Sequence, residues 1–278
     1  MDAYQSVLLG VLQGVTEWLP ISSQGQTVLV MLQFLRLEPA AALSMAIFLH
    51  TGTMLAVLLR FRADFRSMLA ALFRIRADRG SLRGDPRSQL LLRHIVVATG
   101  ATAVTALPLL YFVARMIESV EHATLLIGCL LILTGILLGL QRRARTSYRR
   151  FDELTVTDMV LAGLVQGFSI LPGISRSGTT ITILLMRGIT QELALRLSFL
   201  MSVPAVLGAL ILFELGQVPA VSLRSAALMV LSSLLAGYLT MDLLLRFAAR
   251  VNFASFCIVL GALTIVLTQL PQLGYFIY

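Results

Sequence analysis

Two charged residues stand inside apolar segments where a hydrocarbon-facing sequence would carry none. Glu17 opens Glu17-Trp18-Leu19-Pro20-Ile21-Ser22-Ser23, and Arg176 lies within Leu171-Pro172-Gly173-Ile174-Ser175-Arg176-Ser177-Gly178-Thr179-Thr180. Charges at membrane depth are costly and usually mark function. One carboxylate and one guanidinium, ringed by the hydroxyls of Ser22, Ser23, Ser175, Ser177, Thr179 and Thr180, could hold an oxyanion and activate a nucleophile. Gly173 and Gly178 let backbone approach a ligand closely, and a helix beginning just after the break would offer free N–H groups and a positive dipole end. Ser175 or Ser177 can cap that helix, and the planar fork of Arg176 suits two phosphate oxygens. The simpler alternative is a Glu17–Arg176 strut between segments, which is expensive to bury without use. His50, in Leu49-His50-Thr51-Gly52-Thr53, is either a general acid or base or a hydrogen-bonded structural residue.

These residues need a scaffold, and composition states its solvent. The 278 residues are 58% hydrophobic and 13% charged, with mean hydropathy +0.88. A soluble domain would carry about twice that charged fraction. The net charge of +8 does not indicate nucleic acid, because every basic residue is arginine and the arginines gather between apolar runs, chiefly at positions 60–93 and 142–150. That is the positive-inside pattern of cytoplasmic loops, and the 60–93 loop is expected to touch anionic headgroups. The two cysteines, Cys129 and Cys257, form no CxxC or Cys/His cluster, so they are expected to be small buried hydrophobes rather than a disulfide or zinc site. The N-terminal apolar run lacks a basic flank and a cleavage site, and is expected to stay in the protein.

Six runs, about 41–59, 94–114, 122–140, 195–214, 221–245 and 253–271, can cross a core of roughly 30 Å as helices. Residues 3–35 and 158–187 are broken by polar, Pro- and Gly-bearing stretches, which hydrocarbon tolerates only when they are buried in protein or line a wet cavity. Both are expected to be re-entrant helical hairpins. With the arginine clusters inside, the 115–122 and 216–220 turns and both termini fall outside. His94 and His122 are expected at interfaces, Asp242 and Glu214 to snorkel, and Arg196 lies near the inner side.

The broken stretches are copies of one another. GVLQGVTEWLPISSQG from Gly10 aligns with GLVQGFSILPGISRSG from Gly163, at an offset of 153 (166 less 13, 178 less 25). Gln13 pairs with Gln166, Gly14 with Gly167, Thr16 with Ser169, Ser22 with Ser175 and Gly25 with Gly178. Three spans follow each copy, an odd number, so the second copy is inverted. Proteins built this way place their site where the broken helices meet near the midplane.

EWLPISS at 17–23 and LPGISRSGTT at 171–180 resemble the two signature segments of the undecaprenyl-diphosphate phosphatase, or bacitracin-resistance, family. Leu49–Thr53, Ser198-Phe199-Leu200 and Val203-Pro204-Ala205 fall where that family has similar runs, and the likeness spans nearly the whole chain. It implies an integral-membrane enzyme that converts a C55-type polyprenyl diphosphate to the monophosphate, aided by Mg²⁺ or Ca²⁺. It implies that Glu17 is an acidic residue of the first motif and a possible metal ligand, Ser23 the nucleophile and Arg176 the phosphate-binding arginine. Two departures stand out. Gln13 cannot be a second carboxylate ligand, and Gln24-Gly25-Gln26 replaces a Thr-Gly-His, so a histidine credited with acid/base work is missing. Gln26 can bind phosphate or water but cannot shuttle a proton.

The expectation is thus an all-α polytopic membrane protein, residues 1–278 in a single domain, with six spans and two re-entrant hairpins in an inverted repeat (about 1–141 and 155–278). Glu17, Ser23, Arg176 and His50 are the candidate catalytic residues. Gln13, Ser22, Gln26, Gly173, Ser175, Ser177, Gly178 and Thr179 are candidates to hold phosphate. The expected partners are membrane lipid and the polyprenyl diphosphate, with a homodimer permitted and no nucleic acid. A transporter or lipid flippase is the main alternative, and a membrane scaffold the third.

Overall fold

A computed structural model of the chain describes residues 1–77, 86–116, 119–141, 149–214, 221–248 and 251–269. Its elements are helices: α1 (Ala3–Thr16), α2 (Ser23–Gln33), α3 (Pro39–Arg60), α4 (Arg62–Ala77), α5 (Pro86–Met116), α6 (Val120–Gln141), α7 (Val156–Gly167), α8 (Arg176–Met186), α9 (Gln191–Glu214), α10 (Leu223–Ala248) and α11 (Phe253–Gln269). Helices α3, α5, α6, α9 and α10 are long and apolar enough to cross a membrane, and α11 has 17 described residues. Apart from the start of α5, the expected spans sit within a few residues of these helices, although the last two residues of 253–271 lie outside the described set. So do the 216–220 turn, most of the 142–150 arginine cluster, Arg79, Arg83 and Arg250.

The segment 60–93 is more ordered than a basic loop. Residues Arg62–Ala77 form α4, and α5 starts at Pro86, eight residues before the expected boundary. Proline opens a helix at little cost because its missing N–H would be unpaired there anyway. Met68, with Phe65 packed alongside, pins α4 to a cluster with Leu91, Ile95, Met159 and Leu193. His94 is buried against the Phe151 ring, whereas His122 is exposed. Of the cysteines, Cys257 is buried and Cys129 is exposed; thiols behave as small hydrophobes, so the outward position suits a lipid-facing surface.

Ion pairs gather the basic segments at one end of the molecule. Arg60 meets Asp242 at 3.2 Å, Arg87 meets Asp152 at 3.2 Å, and Arg196 pairs with Asp64. Asp158, fully buried, accepts from Arg187 Nε at 2.7 Å, Arg149 Nη2 at 2.8 Å and Thr155 Oγ1 at 2.7 Å. Because Asp158 begins α7 and Arg187 follows α8, this contact shows that the second hairpin enters and leaves at the same end. The first hairpin opens at the other end. Ser225 Oγ, at the start of α10, donates to the Met1 carbonyl (3.5 Å), and Gln33, at the end of α2, donates to Thr124 at the start of α6 (3.2 Å). At 11 to 14 residues, and 1.5 Å per residue, each hairpin helix spans about 17–21 Å, too short to cross a 30 Å core.

The inversion repeats down to the caps. Asp2 and Gln5 form a capping box on α1, and Thr155 and Asp158, 153 positions later, form one on α7. Ser22 caps α2 through Gly25 N–H, and Ser175 caps α8 through Gly178 N–H. The repeats also interlock: α1 packs on α10 of the second repeat, and α7 on α5 of the first. Paired small residues permit this. A Cβ on Gly14 would lie 2.7 Å from Gly237 N and Ser233 O, and one on Gly163 would lie 2.3 Å from Ala98 O. Helices in lipid associate by such close backbone approach. Gly163→Ala is therefore expected to lower the melting temperature in detergent, at about 1–3 kcal/mol for overpacking against backbone. Gly100→Ala, where a Cβ meets nothing within 4 Å, should leave stability unchanged or raise it slightly. Equal effects of the two substitutions would refute the interlocked packing.

Candidate active site

The two helix breaks meet. Ser22 Oγ accepts from Gly173 N–H at 3.0 Å and faces the Ile174 carbonyl at 3.5 Å, so the cap of α2 also crosslinks the second break. Ser22 sits in the left-handed region (φ 59), a conformation costing a non-glycine residue roughly 1–2 kcal/mol, offset by these bonds. Thr134 of α6 holds the second break from outside, accepting from Ser175 N–H (3.3 Å) and donating to the Gly173 carbonyl (3.0 Å). Trp18, fully buried, anchors the first break by donating Nε1–H to the Gly237 carbonyl at 2.9 Å and setting its ring edge-on to Phe199.

Glu17 lies at the centre of the junction. Its Oε1 accepts from Arg176 Nη2. Its Oε2 accepts from Ser23 Oγ at 2.6 Å and from Gln13 Nε2 at 2.9 Å, and faces His50 Nε2 at 3.4 Å. His50 Nδ1 must donate to the Ala46 carbonyl (2.7 Å), because a carbonyl only accepts; this tautomer leaves Nε2 turned toward Glu17. Arg176 also donates Nη1–H to the Ser198 carbonyl at 3.3 Å. Four residues from separate parts of the chain thus converge on one buried carboxylate.

A cavity of about 770 Å³, mouth included, opens beside this group. Glu17, Ser22, Ser23, His50, Ser175, Arg176 and Ser177 line it, all expected from the sequence. The other expected phosphate ligands are placed elsewhere. Gln26 donates to the Ile21 carbonyl at 3.2 Å, Thr179 donates to carbonyls of its own helix, Gly173 packs on Ile127 and Leu130, and Gly178 on Ser175 and Pro20. Gln13 is fully buried behind Glu17. Sequence reasoning missed Thr102, Gln166, Ser169 and Ser202, which line the far side of the cavity with Ala106, Ala205 and Ala209. Gln166 and Ser169 were visible as repeat partners of Gln13 and Thr16, whereas Thr102 and Ser202 had no signal among apolar neighbours.

Among the described residues no three His, Cys, Asp or Glu side chains come close enough to hold a metal ion. Near Glu17 the buried side-chain oxygen without a partner among the described residues is Gln13 Oε1, behind the carboxylate and outside the cavity lining. This donor set fits a hard cation that takes most of its oxygens from a phosphate ligand and water, as Mg²⁺ commonly does, and does not fit an all-protein cage.

A model of the bacitracin resistance protein BacA family matches residues 6–266. The chain belongs to that family. Among BacA-family relatives, a protein of Methanothrix thermoacetophila is 50% identical over 98% of this chain and 99% of its own length. Relatives from Haloarcula marismortui and Methanopyrus kandleri are each 39% identical, over 94% and 95% of this chain and 95% and 96% of their own lengths. All three carry the name undecaprenyl-diphosphatase. The family and the apolar helices together make this a multi-pass membrane protein.

Proposed function

We propose that this chain hydrolyses a polyprenyl diphosphate carrier, undecaprenyl diphosphate, to the monophosphate and orthophosphate, recycling the carrier for cell-envelope glycan synthesis. The observation that carries the mechanism is the 2.6 Å donation from Ser23 Oγ to the buried Glu17 carboxylate, with Arg176 on its other oxygen. Arg176 and the first turn of α8 receive the terminal phosphate and stabilise its developing charge. Ser23 Oγ attacks the terminal phosphorus as its proton passes to Glu17. The bridging P–O bond breaks, and polyprenyl phosphate leaves. Water then cleaves the seryl phosphate, returning the proton to Ser23 and releasing orthophosphate. His50, oriented by the Ala46 carbonyl, presents Nε2 to accept from the Glu17 carboxyl once that group has taken the Ser23 proton.

Glu17 would hold Mg²⁺ or Ca²⁺ together with substrate phosphate and water, the ion neutralising phosphate charge. Ala106, Ala205, Val206 and Ala209 on α5 and α9 offer the isoprenoid chain an apolar wall. The basic end faces the cytoplasm by the positive-inside rule, which puts both termini and the mouth of the first hairpin outside.

The test is phosphate release from C55 diphosphate by purified protein in detergent. Wild type should release it, and Glu17→Gln should be slower by roughly 10²–10⁴-fold, the range of a lost general base. Well-folded wild type releasing none would return the assignment to a carrier of phosphorylated lipid.

A further inference from the structure

The far side of the cavity offers a ligand something different from the Arg176 side. Thr102 Oγ1 donates to the Ala98 carbonyl (2.8 Å), Ser169 Oγ to the Gln166 carbonyl (2.7 Å) and Ser202 Oγ to the Phe199 carbonyl (2.7 Å). Every hydroxyl proton there is spent on a helix carbonyl. The Gln166 NH₂ group is spent as well, on Thr102 Oγ1 (3.0 Å) and the Met201 carbonyl (3.5 Å). Since Met201 presents a carbonyl and the Thr102 proton is already committed, the amide cannot be turned the other way round without opposing oxygen to oxygen. Gln166 Oε1 is left without a partner among the described residues, on a side chain 99% buried in the cavity wall. A buried acceptor left unmade costs about 1–3 kcal/mol, so this wall is built to receive a donor.

Its position relative to Arg176 follows from α9. Arg176 binds the Ser198 carbonyl and Gln166 the Met201 carbonyl. These carbonyls are three residues apart, about 4.5 Å along a helix. Arg176 and Gln166 are therefore tethered within one turn of the same helix, and both residues line the cavity.

We infer that Gln166 Oε1, opposite Arg176, accepts a hydrogen bond from the P–OH of a protonated phosphoryl group, so that the cavity recognises hydrogen phosphate rather than any oxyanion. Two sources carry this group: released orthophosphate, which keeps at least one P–OH at neutral pH, and the terminal phosphate of the polyprenyl diphosphate in its protonated form. Sulfate, equal in shape but with no proton at neutral pH, presents an oxygen to Gln166 Oε1 and is repelled. The phosphate that remains on the lipid inside the diphosphate has no P–OH, so Gln166 also distinguishes the two ends of the substrate. The inference rests on the phosphatase reading for its ligand, but not for its test.

The test is binding of inorganic phosphate and of sulfate to the purified full-length protein in detergent with EDTA, read by calorimetry and by the shift in melting temperature. Wild type should bind phosphate at least about tenfold more tightly than sulfate, the worth of one good hydrogen bond against a repelled acceptor. Gln166→Met, similar in volume and without an acceptor, should bring the ratio to about one. The KM for polyprenyl diphosphate in Gln166→Met separates the sources: a rise beside the lost preference assigns the contact to the substrate's terminal phosphate, and an unchanged KM assigns it to the product. Wild type binding sulfate as well as phosphate, a preference that disappears with EDTA, or a folded Gln166→Met that keeps it would each overturn the inference. A wild type that prefers phosphate but does not hydrolyse the lipid would instead overturn the phosphatase reading and leave this one standing.

Discussion

Arg176→Ala is expected to release phosphate from polyprenyl diphosphate roughly 10²–10³-fold more slowly than wild type, the usual loss when one preorganised charge stabiliser is removed. Among the described residues Arg176 is the one arginine lining the cavity, and its guanidinium reaches Glu17 and the Ser198 carbonyl at the junction of both breaks. It pairs with the carboxylate, and an incoming phosphate competes for the same fork. Arg176→Lys should recover only part of the rate, because an ammonium keeps the charge but not the planar, bidentate geometry. A purely structural strut predicts otherwise. On that view the damage lies in an unpaired Glu17, so combining Glu17→Gln with Arg176→Gln would restore activity with stability. Recovery of near wild-type turnover in that double variant would remove Arg176 from the chemistry.

The adjacent serines should behave very differently. Ser23→Ala is expected to cut turnover by at least about 10³-fold, as removal of an attacking hydroxyl does in enzymes that use one, with little change in melting temperature. Ser22→Ala should do the reverse. It removes the α2 cap, worth about 1 kcal/mol, and strips Gly173 N–H of its acceptor, for about 1–3 kcal/mol more. The melting temperature should fall by several degrees while the rate falls less than about tenfold. If Ser23→Ala kept a tenth or more of the wild-type rate, the attacking group would be a water held by Glu17.

Much of the architecture was legible in the chain. Apolar runs, arginine clusters and the two copies of one broken motif specify spans and inversion, because hydrocarbon imposes the same length and hydrogen-bonding demands wherever the chain crosses it. Glu17, Ser23, His50 and Arg176 were legible for the same reason, as polar groups where apolar ones are the default. The expected phosphate ligands that the structure sets outside the cavity lining share a cause. Gln26, Gly173, Gly178 and Thr179 lie in the right motifs, yet their side chains or backbone serve caps, turns and helix contacts away from the cavity. Within a break, neighbouring residues point in different directions, and composition does not say which. Segment 60–93 misled in another way: its arginines hid the apolar face by which α4 packs on α5.

The sequence by itself determined that two polar breaks enter the membrane from opposite sides and that a carboxylate and an arginine lie in them. Hydropathy, proline, glycine and the capping residues act locally, so they can be read along the chain. Only the tertiary structure decided that Glu17 collects Gln13, Ser23, His50 and Arg176 at once, that Ser22 is a crosslink while Ser23 donates to Glu17, and that Gln166 keeps an unpaired acceptor in a residue lining the cavity. Those outcomes depend on where α3, α5, α6, α9 and α10 set their carbonyls and small residues against the breaks. Helices more than a hundred positions away in the chain fix which polar atoms are spent on the fold and which remain for a ligand.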